Sequence, residues 1–252
     1  LAVEGRSADL IIANNVIAHV ANQNDVVAGL AALLKPGGAI VVEFPYVRDL
    51  VEQGQFDTIY HEHRCYFSVT SAKVLFERHG LHLNDAERIP IHGGSLRLTF
   101  GKIADASPGV AEILKEESRI GLSEAAYFAD FARKVRAFRE DARRMIGKMK
   151  ASGARIAAYG AAAKGTIMLN YLGLNASVIE YVVDRNPLKQ GRFVPGTRLP
   201  IVGPERLSSD PPDILLILPW NFRDEIVAQQ RDYLERGGRI LVPIPALEIV
   251  AA

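Results

Sequence analysis

Short apolar runs that alternate with helical spacing constrain the fold of this chain more than any other feature. Residues 8–13 form such a run, residues 25–34 place apolar side chains at helical intervals, and residues 39–44 form a second run after a Lys-Pro-Gly-Gly turn at 35–38. This order of strand, helix, turn and strand is typical of a parallel sheet, in which a helix crosses between neighbouring strands. The sequence therefore predicts an α/β fold.

The same region continues with a helix and a hairpin. Residues 71–79 have helical spacing, and Ser68 or Thr70 is the expected N-cap because a hydroxyl there accepts a hydrogen bond from a free helix amide. Residues 81–89 and 95–100 then predict two strands separated by a glycine-rich turn. This hairpin is expected to close the first domain.

A second pattern of strands and helices occupies the C-terminal part of the chain. Residues 155–159 and 178–183 predict strands on either side of a loop of small residues and a short helix. Two more buried strands are predicted at 214–218 and 240–242, with one helix at 222–236 between them. This order predicts a Rossmann-like domain.

The two α/β patterns are separated by a stretch without strand character. After Pro108, apolar residues recur three and four positions apart, which predicts one long amphipathic helix, or two with a break near Gly121. The predicted organisation is a partial α/β sheet in residues 1–104, a helical connector in 105–151, and the Rossmann-like domain in 152–252.

Composition limits the classes of partner. Thirty basic side chains balance 29 acidic ones without a Lys/Arg cluster, so neither nucleic acid nor an anionic membrane is an expected partner. Cys65 is the only cysteine, which excludes an internal disulfide and a multi-cysteine zinc site. With no apolar run long enough to cross a bilayer and no signal-peptide pattern, the expected location is the cytoplasm.

Residues 60–63 (Tyr-His-Glu-His) are four consecutive side chains capable of acid and base chemistry, and they follow the second strand and its loop. Imidazole and carboxylate groups suit general acid and base catalysis, because modest burial brings their pKa values near neutral pH. Zinc binding is an alternative, but His61 and His63 need further ligands from elsewhere, so no metal is predicted. A solvated polar loop is the third interpretation.

Three polar residues, Asn14, Asn15 and His19, lie just past the first predicted strand. Open parallel sheets bind ligands outside the carboxyl ends of their strands. His19 and His63 are therefore expected to converge, although 44 positions separate them. A buried histidine that caps a helix is the structural alternative for His19.

The loop at 160–166 (GAAAKGT) links a strand to a helix in the second domain. Its small residues allow close approach, and helix amides together with Lys164 attract phosphate. The loop matches neither a Walker A sequence nor GxGxxG. Asp184 stands where dinucleotide-binding folds place a ribose-binding acid, so an NAD-dependent oxidoreductase is an alternative function. Two features argue against this alternative: the loop lacks the middle glycine of GxGxxG, and the sequence has no separate set of hydride-transfer residues.

Several ordered motifs resemble those of the nucleotide-sugar C-methyltransferases. The matching segments are 13–16 with His19, 55–57 with 60–63, 92–97, 183–187 with Gly191, and 195–197. The resemblance runs from near residue 8 to near residue 245. It implies a class I methyltransferase sheet that uses S-adenosylmethionine to methylate a ring carbon, typically C3, of a dTDP-linked 4-keto deoxysugar.

The resemblance also implies roles for individual residues. A ring C–H beside a keto group reacts only after losing its proton to give an enolate, which requires a base and a donor near the keto oxygen. His63 is implied as the base, with Glu62 as the competing base or as the group that orients the imidazole. Tyr60 is implied to contact cofactor or substrate, and His19 to hold the enolate oxygen. The implied cofactor-binding residues are Asn14, Asn15 and Tyr60.

The resemblance implies that the second domain binds the dTDP-sugar. The turn of the first-domain hairpin is implied to contact the same substrate. For each of the implied substrate-binding residues, turn chemistry or a helix cap is the structural alternative. They are His92, Lys164, Asp184, Asn186, Lys189 and Asn221.

The chain departs from the family pattern at its start. The glycine-rich loop and the ribose-binding acid that grip S-adenosylmethionine have no counterpart here, nor does a cysteine-rich zinc-binding domain. The expectation is therefore a C-terminal portion whose missing partner is the N-terminal part of its own chain, with an open sheet edge. A nucleotide-sugar-binding module without catalysis is the alternative function.

Overall fold

The computed structural model describes residues 4–252, which group into two compact units. The first unit contains residues 4–52 and 61–131, and the second contains residues 53–60 and 132–252. Residues 1–3 of the predicted first domain lie outside the described part. The predicted helical connector, 105–151, forms no unit of its own, because its two ends pack with different units.

The first unit is a four-stranded sheet with helices against it. Its strands are β1 (Ala8–Asn14), β2 (Leu34–Pro45), β3 (His82–Ile89) and β4 (Ser95–Gly101). Their order is β1-β2-β4-β3, with β1 parallel to β2 and the β3/β4 hairpin antiparallel. The α/β class and the hairpin are thus confirmed. The helices are α1 (Gln23–Leu33), α2 (Val47–Glu52), α3 (Val69–Glu77), α4 (Pro108–Arg119) and α5 (Ala125–Ala129).

The predicted Lys-Pro-Gly-Gly turn is part of β2 instead of a break before it. Ala8 pairs with Leu34 and Leu10 pairs with Ala39. Between these two pairs β2 advances five residues and β1 only two, so residues 35–38 form a bulge-like irregularity in the pairing. A Cβ at Gly38 would lie 2.8 Å from the Asp9 carbonyl oxygen. The glycine is therefore needed for the close approach of two strands, a tertiary requirement that local turn chemistry does not reveal.

The edge strand β1 exposes apolar side chains. Leu10 and Ile12 are 55% and 63% exposed, and β1 is the end strand of the sheet. The open edge expected from the sequence is present in the described part of the chain.

The amino end of α3 is closed by a buried carboxylate. Of the two residues predicted as the N-cap, Ser68 holds that position, and it forms a capping box with Ser71. Glu117 on α4, only 1% exposed, accepts from the Val69 and Thr70 amides at 2.7 and 2.8 Å, and from the Thr70 hydroxyl at 2.6 Å. The free amides that begin the helix are thereby satisfied in the core.

The buried Tyr46 hydroxyl donates a fourth hydrogen bond to Glu117, at 2.9 Å. Burial, and then the charge of Glu117, raise the pKa of Tyr46 far above its ordinary value, so the phenol remains a donor. This network connects α3 to α4.

The second unit is a six-stranded sheet. Its strands are β5 (Ile156–Tyr159), β6 (Val182–Val183), β7 (Ile201–Val202), β8 (Ile214–Ile217), β9 (Arg239–Val242) and β10 (Glu248–Val250). Their order is β10-β9-β8-β5-β6-β7, and only the β9/β10 pair is antiparallel. Read from β7 and numbered from β5, this is the doubly wound order 3-2-1-4-5-6, which confirms the Rossmann-like prediction. The helices are α6 (Phe131–Ala151), α7 (Ala163–Leu172), α8 (Arg206–Ser209), α9 (Arg223–Gln229) and α10 (Arg231–Glu235).

Several element boundaries differ from those predicted. The amphipathic stretch after Pro108 forms three helices, α4 to α6, and the helix expected at 222–236 divides into α9 and α10 at Gln230. The strand expected at 178–183 shortens to Val182–Val183, and β7 and β10 were not predicted. Strands of two or three residues are too short to show a period of two. Within residues 4–252, no helix has both the length and the apolar character to cross a membrane.

Candidate functional site

The carboxyl end of β1 turns sharply into a 3-10 turn that carries His19. Asn15 has a positive φ of 54°, which asparagine tolerates better than most residues, and its amide donates to the Glu43 carbonyl of β2 at 2.7 Å. The turn Ile17–His19 follows directly. The Asn14 and Asn15 side chains are exposed at this strand end, where a parallel sheet binds its ligands.

The loop that contains His63 lies against this turn. The amides of Arg64 and Cys65 both donate to the Ala18 carbonyl, at 2.9 and 3.2 Å. His19 Nδ1 lies 3.0 Å from the Glu62 carbonyl oxygen. Because a carbonyl only accepts, Nδ1 carries the proton, and in the neutral ring Nε2 carries the lone pair.

The structure brings His19 and His63 together. Their ring centroids are 4.9 Å apart with an interplanar angle of 63°, and the half-buried His63 also lies edge-on to Tyr66 at 6.4 Å. The loop of His63, docked on the turn after β1, thus places two imidazoles in contact across 44 positions of sequence. Their catalytic roles remain predictions.

The other members of the 60–63 run are placed differently. The Glu62 side chain is exposed and lies 3.9 Å from His61 Nε2, so Glu62 reaches His19 through its backbone carbonyl and not through its carboxylate. Tyr60 is half-buried and belongs to the second unit. In residues 4–252, no group of three or more His, Cys, Asp or Glu side chains is arranged to hold a metal ion.

His92 lies in the exposed turn of the hairpin, also with a positive φ, of 56°. The nearby Gly94 has a φ of 112°, and a Cβ there would lie 2.3 Å from an Asp49 carboxylate oxygen. Asp49 is itself buried beside Arg88, at 2.8 Å. Contact with Asp49 therefore accounts for this glycine.

In the second unit, the strand order reverses between β5 and β8, which is where doubly wound sheets form a ligand crevice. A Cβ at Gly160 would lie 2.5 Å from the Pro219 ring, and one at Gly165 would lie 2.9 Å from the Leu218 Cβ. The two glycines of the small-residue loop thus allow α7 to approach the end of β8. The N-cap of α7, Ala162, offers no capping side chain.

Lys164 and Asn221 meet at this crevice, as neighbouring strand ends would place them. The Lys164 ammonium donates to the Asn221 side-chain oxygen and lies 4.4 Å from the centroid of the Trp220 ring. Burial lowers the pKa of Lys164 to about 8, and the charge of Asp57 acts in the opposite direction.

Asp57 also lies at this site, although the sequence indicated it only as part of the matching segment 55–57 and gave it no role. It is fully buried, and its Oδ2 accepts from the indole N–H of Trp220 at 2.8 Å. Burial raises the pKa of Asp57 to about 6, opposed by the Trp220 hydrogen bond and by the charge of Lys164. The 163 positions between Asp57 and Trp220 leave no local signal from which to predict the contact.

Asp184, Asn186 and Lys189 hold a turn beside the loop. Asp184 accepts from the Ala161 and Asn186 amides at 2.8 Å each and from the Lys189 ammonium at 3.2 Å. Asn186 in turn accepts from the Leu188 amide at 3.0 Å. Both oxygens of Asp184 therefore hold this turn, and its role in binding a ligand stays a prediction.

A family model described as the C-methyltransferase C-terminal domain matches residues 90–245, more than half of the chain. The chain belongs to the C-methyltransferase family. A second model, described as a methyltransferase domain, matches residues 1–85. The predicted family is thereby confirmed at the level of C-methyltransferases, and so is the methyltransferase α/β fold of the first part.

C-methyltransferase NovU from Streptomyces niveus is 38% identical to this C-methyltransferase chain over 248 residues. The alignment covers 97% of the chain and 59% of NovU, so the chain spans about three fifths of the relative's length. A chain from the complex of the Haloferax volcanii Trm112 methyltransferase activator with a methyltransferase shares 16% identity, with a TM-score of 0.33 over 38% of this chain and 54% of that one. A TM-score this low supports no conclusion about the fold.

Proposed function

We propose that this chain contributes the acid/base and sugar-binding parts of an S-adenosylmethionine-dependent C-methyltransferase that acts on a dTDP-linked 4-keto deoxysugar. The observation that carries the proposal is the contact between His19, in the turn that follows β1, and His63, in the loop that docks on that turn. Membership of the C-methyltransferase family supports the reaction class.

The first step is loss of the proton on the ring carbon beside the keto group. His63 takes this proton, and the C–H electron pair moves toward the keto oxygen to form an enolate. S-adenosylmethionine, when bound, would supply the methyl group to the enolate carbon; its methyl–sulfur bond would break and the electron pair would leave on sulfur as a neutral thioether. The reaction therefore needs a neutral base and, nearby, a donor to the developing negative charge.

The two imidazoles suit this division of roles. The Glu62 carbonyl accepts from Nδ1 of His19 in either protonation state, so a second proton on Nε2 would give a cationic donor for the enolate oxygen. With ring centroids 4.9 Å apart, the two imidazoles are close enough to act on neighbouring atoms of one substrate. His63 is then the base and His19 the donor; the carboxylate of Glu62 points to the exposed His61 instead.

Asn14 and Asn15 fit a role in holding the methyl donor. Their exposed amide side chains can donate and accept hydrogen bonds, and they stand at the strand end where parallel sheets bind ligands. Tyr60 is assigned a contact to cofactor or substrate on the strength of the family resemblance.

The nucleotide part of the sugar is assigned to the crevice of the second unit. Lys164, Asn221 and the uncapped amides of α7 provide a cation and donors for phosphate oxygens. Asp184, Asn186 and Lys189 act mainly by shaping the loop, and His92 is assigned to the sugar with only its exposed position in support.

Calorimetry with single ligands tests the proposal. A dTDP-sugar is expected to bind to the chain, and NAD is not. Binding of the sugar nucleotide without any binding of S-adenosylmethionine would support the alternative of a non-catalytic module for this chain. Tight NAD binding would instead favour the NAD-dependent oxidoreductase and contradict the proposed function.

Substitution of Lys164 by alanine is expected to weaken dTDP-sugar binding by about tenfold or more, because a charge-assisted hydrogen bond contributes about 1.5–3 kcal/mol. Lys148→Ala, which removes an exposed lysine from α6 of the same unit, is the matched control and should leave affinity unchanged. Equal affinities for the two variants would remove Lys164 from the phosphate site.

A further inference from the structure

Residues Gln53–Tyr60, here called the inserted segment, pack with the Rossmann-like unit although they stand between two helices of the first unit. Their centre is a 3-10 turn at Phe56–Thr58, which lies against α7. The ring of Phe56 contacts Tyr171 at 4.7 Å and Phe138 of α6 at 5.6 Å. Apolar packing thus accounts for one side of the segment.

Asp57 provides the polar side of this contact. A carboxylate with no exposed surface is costly to bury unless its oxygens find donors. One oxygen accepts from the Trp220 indole at 2.8 Å, whereas Oδ1 is buried with no hydrogen-bond partner. Such an incompletely satisfied buried acid costs stability, so its presence calls for a functional explanation.

The position of Asp57 supplies that explanation. Trp220 follows β8 at the reversal of strand order, and the Lys164 ammonium lies over the same indole ring. Asp57, Trp220 and Lys164 all belong to the second unit, and Tyr60 is three positions beyond Asp57 in the inserted segment.

We infer that Asp57 is a positioning residue: through the Trp220 indole it holds the inserted segment, and with it Tyr60, at the switch point of the second sheet. The Asp57–Trp220 hydrogen bond lies entirely within the second unit. Its consequence for methyl transfer rests on the proposed function, in which Tyr60 contacts cofactor or substrate.

The charge of Asp57 is expected to change near neutral pH. Its pKa is raised to about 6 by burial, so the carboxyl is protonated below that pH and ionised above it. The charged group that acts on the Asp57 carboxylate from α7 is Lys164. The cation that α6 places near the inserted segment is Arg139, which lies 5.3 Å from the centroid of the Tyr171 ring. A change in charge beside the indole N–H alters the emission of Trp220, the only tryptophan in the chain.

Emission of Trp220, measured without ligand from pH 4.5 to 7.5, is expected to change with a midpoint at about pH 6. Asp57→Asn keeps an oxygen that accepts from the indole but cannot ionise, so its emission should be constant over this range. Absence of the transition in the parent chain, or its persistence in Asp57→Asn, would overturn the assignment. Neither outcome depends on any ligand, so both are distinct from failure of the proposed function.

Hydrogen exchange tests the positioning itself. Trp220→Phe keeps an aromatic ring but removes the donor, and amides of residues 56–60 are expected to exchange at least about tenfold faster. Asp57→Asn retains the hydrogen bond and should change these rates by less than about threefold. Unchanged exchange in Trp220→Phe would contradict the inference, and α3 amides in the first unit serve as the internal control.

Discussion

Replacement of His63 by alanine is expected to abolish measurable methyl transfer, with a loss in kcat of about 10³-fold or more. General base catalysis contributes about 10²–10⁴ to such reactions, and the half-buried His63 is the imidazole that packs against His19 at the strand ends. The measurement is methyl transfer to a dTDP-linked 4-keto sugar by the protein expressed from its whole gene.

Affinity for the sugar nucleotide should remain within about tenfold in His63→Ala, that is within about 1.4 kcal/mol, because the base acts on the reacting C–H and contributes little to ground-state binding. His61→Ala is the matched control, since it removes an imidazole two positions away whose side chain is 88% exposed. If His61→Ala and His63→Ala lose the same activity, disruption of the loop explains both. Full turnover in His63→Ala would remove that residue from the mechanism.

Replacement of Glu117 by leucine is expected to lower the free energy of unfolding of the first unit by about 4 kcal/mol. The substitution leaves the Val69 and Thr70 amides and the Tyr46 hydroxyl without their acceptor in a buried site. Each buried donor left unpaired costs about 1–3 kcal/mol, which the added apolar contact of leucine only partly offsets.

Urea unfolding followed by circular dichroism measures this loss, and hydrogen exchange of the α3 amides localises it, with an expected acceleration of about 10³-fold. Glu116→Leu on the same helix is the control, because the Glu116 side chain is 38% exposed, Arg48 keeps its ion pair with Glu52, and the loss of stability should be less than about 1 kcal/mol. A Glu117→Leu variant as stable as Glu116→Leu would show that the α3 amides find other acceptors.

Local sequence patterns were sufficient to predict the strands and helices that have a regular apolar spacing or a capping residue. The strand runs at β1 and β2, the hairpin, and the Ser68 cap of α3 are visible in sequence because each depends on neighbours a few positions away. The same logic failed for β7 and β10, whose two or three residues are strands only because neighbouring strands pair with them. It also failed at 35–38, where the register with β1 overrides turn chemistry.

The candidate site divides in the same way. The sequence alone indicated both His19 and His63 and predicted that they converge at the end of the sheet. What brings them together is the docking of the His63 loop on Ala18, in the turn after β1. Asp184 shows the opposite case. Its position at a strand end predicted a ligand-binding role, which stays a prediction; its hydrogen bonds to Ala161, Asn186 and Lys189 were not indicated by the sequence.

The sequence by itself determined the α/β order of elements, the methyltransferase family, and a cluster of acid/base residues at 60–63. Tertiary structure alone decided that residues 53–60 pack with the second unit, that Asp57 bonds to Trp220, and that Glu117 closes the start of α3. These contacts join residues 48 and 163 positions apart. A carboxylate's donors are set by packing in three dimensions, and no periodicity of the chain encodes contacts over such distances.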